Sequence, residues 1–376
     1  MQELDELLGG GIVPGSVILL GGEPGIGKST LLLQLCAAVA RNAKNGSSSL
    51  YVSGEESLPQ IRSRAQRLDL LDTGIRAVST NSLEDVIGPF STEKGLRLMI
   101  IDSVQTISSP GLDSIPGTPS QIRAVSSRLI QKAKETDVCV ILVGHVTKDG
   151  QIAGPKLLEH MVDTVLYLEG DKEHLFRILR VVKNRFGPSN ELVMFEMDST
   201  GLNVVKDPST FFLQARDPGL SGSAVVMAVD GQKPFAVEVQ VLASSSFLAI
   251  PRRTALGFDL NRLHLLLAVM EKKLNVNMAQ SDIYTKIGGG LRLSDPGMDL
   301  GLVAAALSSF QNVSLPERSA FWGEVDLNGQ IRPVLGHDLR MKQAMKLGYK
   351  PIFSPRHTGS DTGLATIMDL RNMLFS

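Results

Sequence analysis

The stretch that decides the fold runs Gly22-Glu23-Pro24-Gly25-Ile26-Gly27-Lys28-Ser29-Thr30. Gly22, Gly27, Lys28 and Ser29 stand at the spacing of a phosphate-binding loop. The apolar run Val17 to Leu20 ahead of it reads as a buried strand, and Leu31 to Ala40 behind it reads as a helix. Glycines let successive backbone N–H groups turn inward around an anion, at a helix N-terminus whose dipole already favours negative charge. In such a loop Lys28 reaches the β- and γ-phosphates and the Ser29 hydroxyl ligates Mg²⁺. All nine residues are therefore candidate contacts to ATP, with Mg²⁺ as its cation. A tight Gly-rich turn without a ligand is the alternative, and it does not require the full pattern in this context.

Outward from the loop, strand candidates follow at Leu50–Val52, Leu98–Ile101, Val138–Val143 and Val165–Leu168, with helical patterns at Leu58–Leu71 and Ile122–Glu135. Strand and helix in alternation predict an α/β core: a mostly parallel sheet with helices on both faces. Phe176–Lys183 and Leu192–Met197 are separated only by a turn, Asn184 to Asn190, so the sheet should end in antiparallel strands. Pro208 and its polar neighbours mark a boundary. The expected domains are 1–207 and 208–376, the second of α+β or α/β type.

Several strand ends carry chemistry. Arg97 to Asp102 is an apolar strand closed by a carboxylate, which beside a phosphate loop would hold Mg²⁺ through water. Glu55 and Glu56 follow another strand end. Hydrolysis needs a carboxylate to orient the attacking water, and Glu55 is the first choice with Glu56 in reserve. The bland reading is a pair of acids at a helix N-terminus. His145 ends the strand of Cys139, where a polar side chain could sense the γ-phosphate; a satisfied core or surface histidine is the alternative. Lys183 and Arg185 lie on the Lys183-Asn184-Arg185-Phe186-Gly187 turn. From the residues alone a solvated basic turn is the simpler account, although cations there could act on a neighbour's nucleotide.

Composition bounds the rest. The chain has 376 residues, 43% of them apolar and 20% charged, with a formal net charge of −1. Length argues for two domains, or at most three, and no bulk basic character advertises nucleic acid, so DNA binding would need a local positive surface. No apolar run reaches the roughly 18 residues of a membrane span, and the N-terminus is acidic. The expectation is a cytoplasmic protein with no membrane partner. Cys36 and Cys139 both sit in apolar runs and read as small buried hydrophobes. With two cysteines no four-cysteine zinc module is possible, so no zinc is expected in this chain.

Six segments together resemble the RadA (Sms) family of bacterial DNA-repair proteins, within the RecA-like ATPases: Glu6–Thr30, Tyr51–Ser57, Ile100–Thr106, Gly144–Gly150, Val181–Glu191 and Gly323–Val334. The KNRFG turn is the most specific of them, and the match extends over nearly the whole chain. The resemblance implies a RecA-like P-loop ATPase core followed by a Lon-protease-like α+β domain. It implies a DNA-stimulated, ATP-driven motor for homologous recombination and repair, a homo-oligomer expected as a hexameric ring. Such a motor moves on single-stranded DNA and drives helicase or branch-migration steps on branched intermediates, beside a RecA-type recombinase. Lys28 and Ser29 match the phosphate-loop pair, Asp102 the metal-holding Asp, Glu55 the water-orienting Glu, and Lys183 and Arg185 the cations acting on the neighbour's ATP. Segments Ser108–Ser120 and Lys148–Lys156 would face the ring channel as flexible loops, with Arg123, Lys148 and Lys156 as phosphate contacts. An alternative is an ATP-switched scaffold that holds DNA or recombinase without unwinding.

There are two departures. The family normally opens with a four-cysteine zinc module, and this sequence starts after it. In the second half, Asp295-Pro296-Gly297-Met298-Asp299 puts Gly297 where a Lon-type nucleophile would sit, and Asp338 stands in the place of the lysine. Without a hydroxyl or its base, peptidase chemistry has no starting point. The second domain is then expected to be a ring-forming platform. Arg252, Arg253 and Arg262 could give it a DNA-facing charge, or simply a solvated face.

Overall fold

The buried run Val17–Gly22 forms strand β1 at the heart of a nine-stranded sheet. The computed structural model describes residues 2–41, 48–145, 156–170, 176–189, 191–213, 216–231, 233–356 and 363–375. They fall into two units, Met1–Val205 and Lys206–Ser376.

In the first unit the strands are β1, β2 (Ser48–Ser53), β3 (Arg76–Ser79), β4 (Leu96–Asp102), β5 (Cys139–His145), β6 (Thr164–Glu169), β7 (Phe176–Asn184), β8 (Leu192–Asp198) and β9 (Gly201–Val204). The helices are α1 (Gln2–Leu7), α2 (Lys28–Arg41), α3 (Leu58–Arg67), α4 (Leu83–Thr92), α5 (Pro119–Thr136) and α6 (Lys156–Met161). The sheet order is β3-β2-β4-β5-β1-β6-β7-β8-β9. It is parallel from β3 to β6 and antiparallel beyond. Alternation along β1 feeds two cores: Ile18 and Leu20 pack with Leu31, Leu32 and Cys36 of α2, while Val17 and Leu19 pack with Ile122, Val125 and Leu129 of α5. Both faces are covered, which is why the parallel strands read as near-continuous apolar runs. Register aligns Gly22 with His145 and Ser53 with Asp102. The loops that follow β1, β2 and β4 thereby open at one edge of the sheet, where ligands bind in such folds.

The second unit adds α7 (Pro208–Leu213), β10 (Ser223–Asp230), β11 (Lys233–Ser245), β12 (Arg253–Leu256), α8 (Leu260–Leu274) and β13 (Ser281–Ile287). It continues with α9 (Asp299–Gln311), β14 (Ala320–Phe321), β15 (Glu324–Val325), β16 (Ile331–Arg332), α10 (His337–Lys346), β17 (Ile352–Phe353) and α11 (Ile367–Phe375). A six-stranded mixed sheet, β12-β13-β11-β10-β14-β17, is its frame. Helix α9 is buried from Asp299 to Ser308 and lies close on β10, because a Cβ at Gly301 would stand 2.2 Å from Val226 Cγ2. Val225, Met227, Ala236, Trp322 and Ala344 of α10 form a separate core cluster.

Three expected elements are redrawn. The helix expected to Leu71 stops at Arg67, where Asp69 takes a left-handed turn at φ 56. The segment 108–120 is not a free loop throughout. Its last two residues open α5, and the buried Gln121 amide donates to the Leu112 and Ser114 carbonyls at 3.2 and 2.9 Å while accepting from the Ser109 N–H. Arg262 is no free surface charge: its guanidinium donates to both oxygens of buried Asp299 at 2.6 Å and to Glu324 at 3.2 Å. Among the described residues no helix is long and apolar enough to cross a membrane.

Candidate functional site

The loop between β1 and α2 is shaped by its glycines. Gly25 and Gly27 take φ of +79 and +116, values that side-chain-bearing residues avoid. A Cβ at Gly27 would also stand 2.5 Å from Met197 Cε. Lys28, at 5% exposure, donates through Nζ to the Gly22 and Glu23 carbonyls at 2.8 and 3.0 Å. Burial lowers its pKa, opposed by the charges of Asp102 and Glu55. The loop is also braced from behind, where buried Arg177 of β7 donates from Nε to the Ile26 carbonyl at 2.9 Å. In a planar trans peptide the Gly27 N–H points opposite to that carbonyl, so the brace holds one amide turned away from Arg177.

Asp102 closes β4, and its Oδ2 accepts the Ser29 hydroxyl at 2.6 Å. The buried Tyr51 hydroxyl of β2 donates to the same oxygen. Burial, then the Asp102 charge and its hydrogen bond, push the Tyr51 phenol upward, so it remains a donor. Among the described residues no three His, Cys, Asp or Glu side chains gather as a metal cage. Mg²⁺ in a phosphate site does not need one: it takes one or two protein oxygens, several waters and the substrate phosphates. Ser29 and Asp102 supply such oxygens within bonding distance of each other, so the residues fit that cation.

The two acids after β2 part company. Glu55 accepts the Ser103 hydroxyl at 2.5 Å, whereas Glu56 is clamped by Arg64 at 2.5 and 2.7 Å. Their turn is fixed by Ser53 Oγ, which accepts both amides at 3.3 and 2.9 Å. Two residues beyond Ser103, the Gln105 amide is buried with neither Nε2 nor Oε1 bonded to any described residue.

The cations of the KNRFG turn also differ. Lys183 Nζ donates to the Glu159 and Val162 carbonyls at 2.7 and 2.8 Å, tying β7 to the end of α6. Burial, chiefly, lowers its pKa. Arg185 is 52% exposed and lies 3.3 Å from Asp163, whose other oxygen accepts the Val17 N–H. The backbone of His145 pairs with Gly22, but its side chain lies outside the described residues. Lys148 lies outside them as well, as does the Lys156 side chain. Arg123 is exposed on α5.

In the second unit Arg340 of α10, at 2% exposure, pairs with both oxygens of Asp295 at 2.6 and 2.9 Å. It also donates to the Met227 carbonyl. A Cβ on Gly297 would stand 2.6 Å from Arg340 Nη1. The space beside Gly297 is therefore filled by a guanidinium.

No sequence signal marks Tyr51, Ser103, Arg177 or Arg340 as functional. Their partners lie far off along the chain, and Tyr51 inside an apolar strand reads as core. Arg177 and Arg340 give no local hint of burial.

A family model described as "ATPase: KaiC" matches residues 1–209. The chain is 46% identical to the DNA repair protein RadA of Rickettsia bellii over 379 residues, covering 100% of this chain and 84% of that one. It is 43% identical to the DNA repair protein RadA of Streptococcus pyogenes over 385 residues, with the same two coverages, 100% and 84%. Among solved structures, the RadB recombinase is similar at 22% identity and a TM-score of 0.42, covering 55% of this chain and 97% of that one.

Proposed function

The chain belongs to the RadA family of DNA repair proteins, and from that premise we propose that it is an Mg-ATP-dependent motor acting on DNA in homologous recombination. The observation that carries this reading is the Ser29–Asp102 contact at 2.6 Å beside buried Lys28. These are the three side chains a phosphoryl-transfer site requires around ATP.

Each step falls to a residue of this chain. The loop amides from Gly25 to Ser29 cradle the phosphates, and Lys28 exchanges its bonds to Gly22 and Glu23 for the β- and γ-oxygens. Ser29 and Asp102 hold Mg²⁺, which when bound neutralises charge on the β- and γ-phosphates. Glu55, oriented by Ser103, polarises the attacking water. Glu56 is committed to Arg64 and is not the base. Between the two turn cations, exposed Arg185 is the one suited to reach a neighbour's γ-phosphate, while Lys183 holds the turn in place. This makes ATP hydrolysis depend on assembly into a homo-oligomeric ring, which we take to be hexameric.

DNA contacts are assigned to Arg123 and to the loop ahead of α5, where Ile115 is 75% exposed and Gln121 pins the backbone behind it. Single-stranded DNA and branched intermediates are the partners, with translocation as the outcome of the cycle and a recombinase as companion. The second unit serves as a Lon-like platform for the ring. The arginine beside Gly297 supports a non-peptidase role, as does the carboxylate of Asp338 at the start of α10.

The test is ATP hydrolysis by purified protein with and without single-stranded DNA, beside strand displacement on a forked substrate. Stimulation by DNA that vanishes in Lys28→Ala supports the motor. DNA binding without displacement would favour the scaffold, and hydrolysis that ignores both DNA and the Lys28 substitution would end the proposal.

A further inference from the structure

Tyr51 sits in β2 with its side chain fully buried among the residues between the sheet and α2. A phenol there needs an acceptor, since a buried polar group left unpaired gives up its bonds to water with nothing in return. The acceptor is Oδ2 of Asp102, the same oxygen that takes the Ser29 hydroxyl. Register makes this possible: β2 and β4 run parallel, with Tyr51 beside Ile100 and Ser53 beside Asp102. The ring therefore reaches along the sheet to the strand tip. Two hydroxyls from different elements converge on one carboxylate oxygen, and Asp102 Oδ1 accepts from no described residue.

We propose that Tyr51 is a positioning residue for the divalent cation of this site. Its hydroxyl pins the Asp102 carboxylate in one orientation, with Oδ2 given to protein donors and Oδ1 left for the cation's water. The inference rests on the reading of Asp102 as the metal-holding acid. Phenylalanine at this position keeps the ring and its packing but releases the carboxylate to rotate. Partners that orient a metal-holding group from outside typically change metal affinity 10–100-fold when lost.

The experiment titrates Mg²⁺ into the protein carrying a fluorescent ATP analogue and records the half-saturating concentration. A parallel titration measures the analogue's affinity in EDTA. For Tyr51→Phe the half-saturating Mg²⁺ should rise at least about tenfold, while affinity in EDTA changes less than about twofold, because nothing in the phosphate cradle is touched. An unchanged Mg²⁺ midpoint with a lowered melting temperature would make Tyr51 a packing residue only and overturn the inference. Asp102→Asn separates this failure from that of the underlying reading: if its Mg²⁺ midpoint is also unchanged, the assignment of Asp102 falls. Should Tyr51→Phe not fold, the parent protein decides. Its near-ultraviolet tyrosine difference spectrum should move with the Mg²⁺ midpoint, and a spectrum indifferent to Mg²⁺ would refute the role.

Discussion

Gly297→Ser would put a hydroxyl where the proposed Lon-like reading of the second unit expects a nucleophile, and the geometry predicts that it damages that unit instead. A Cβ built on Gly297 stands 2.6 Å from Arg340 Nη1, 2.9 Å from its Cζ and 3.0 Å from Asp295 Oδ1. All three atoms belong to a buried ion pair that cannot swing into solvent. Overpacking of this kind costs about 1–3 kcal/mol. If Arg340 were pushed off Asp295 altogether, the loss would approach the ~3–5 kcal/mol of a broken buried pair. At ~2–4 °C per kcal/mol for a unit of this size, the lower range corresponds to a fall in melting temperature of roughly 2–12 °C. Calorimetry on the full chain reads this as a shift of one transition. A casein or fluorogenic-peptide assay on the same sample should stay at background, since Asp338 offers no amine to activate the new hydroxyl. An unshifted transition accompanied by peptide cleavage would refute both the packing argument and the non-peptidase assignment.

Three other outcomes follow from the first unit. Glu55→Gln should bind ATP normally but lose hydrolysis by about 10²-fold or more, with Ser103→Ala showing a smaller loss in the same direction; single-turnover assays would separate binding from chemistry, and a Glu55→Gln enzyme of normal turnover would transfer the role elsewhere. Arg177→Gln should weaken nucleotide binding through the Ile26 carbonyl it releases, measured as a raised Kd for ADP in EDTA, and an unchanged Kd in folded protein would remove the brace from the account. Burial pushes the Cys36 and Cys139 thiols up to about 12. A thiol whose folded value exceeds its ordinary 9.0 keeps its proton in the native state, so the stability this contributes is complete below about pH 9 and is lost as pH rises towards about 12. Urea midpoints should fall across that window, and a disulfide reagent at pH 8 should label neither thiol until urea is added; rapid native labelling would contradict the burial.

What the sequence made legible is what depends on short spacing. Gly22 to Thr30, the carboxylate of Asp102 and the acids at 55 and 56 could be found because loop, strand tip and residue type lie together in the chain. Strand β1 and its parallel neighbours announced themselves as continuous apolar runs because both faces are covered. Elements that break those rules stayed hidden. Strand β13 places Ser281 and Thr285 on the inward face beside Ile283 and Ile287, so polar atoms blur its period. Helix α4 carries Pro89 inside it, and β3 is half exposed along its four residues. That Glu55 and Glu56 take different partners was not legible either, because those partners are Ser103 and Arg64. The same holds for Lys183 and Arg185, whose difference arises from carbonyls at the end of α6 and the carboxylate of Asp163.

If ATP bound by one protomer's Lys28 is completed by Arg185 of the next, activity can be rebuilt by mixing two variants. Lys28→Ala and Arg185→Ala proteins, each inactive alone, are combined in equal amounts and allowed to exchange subunits. In a head-to-tail ring every interface joins one protomer's loop to its neighbour's turn, so random mixing leaves about a quarter of the interfaces intact. DNA-stimulated ATP hydrolysis should then return to about that fraction of the parent rate. A mixture that assembles with its parents' DNA affinity yet hydrolyses nothing, or an Arg185→Ala protein fully active by itself, would contradict it.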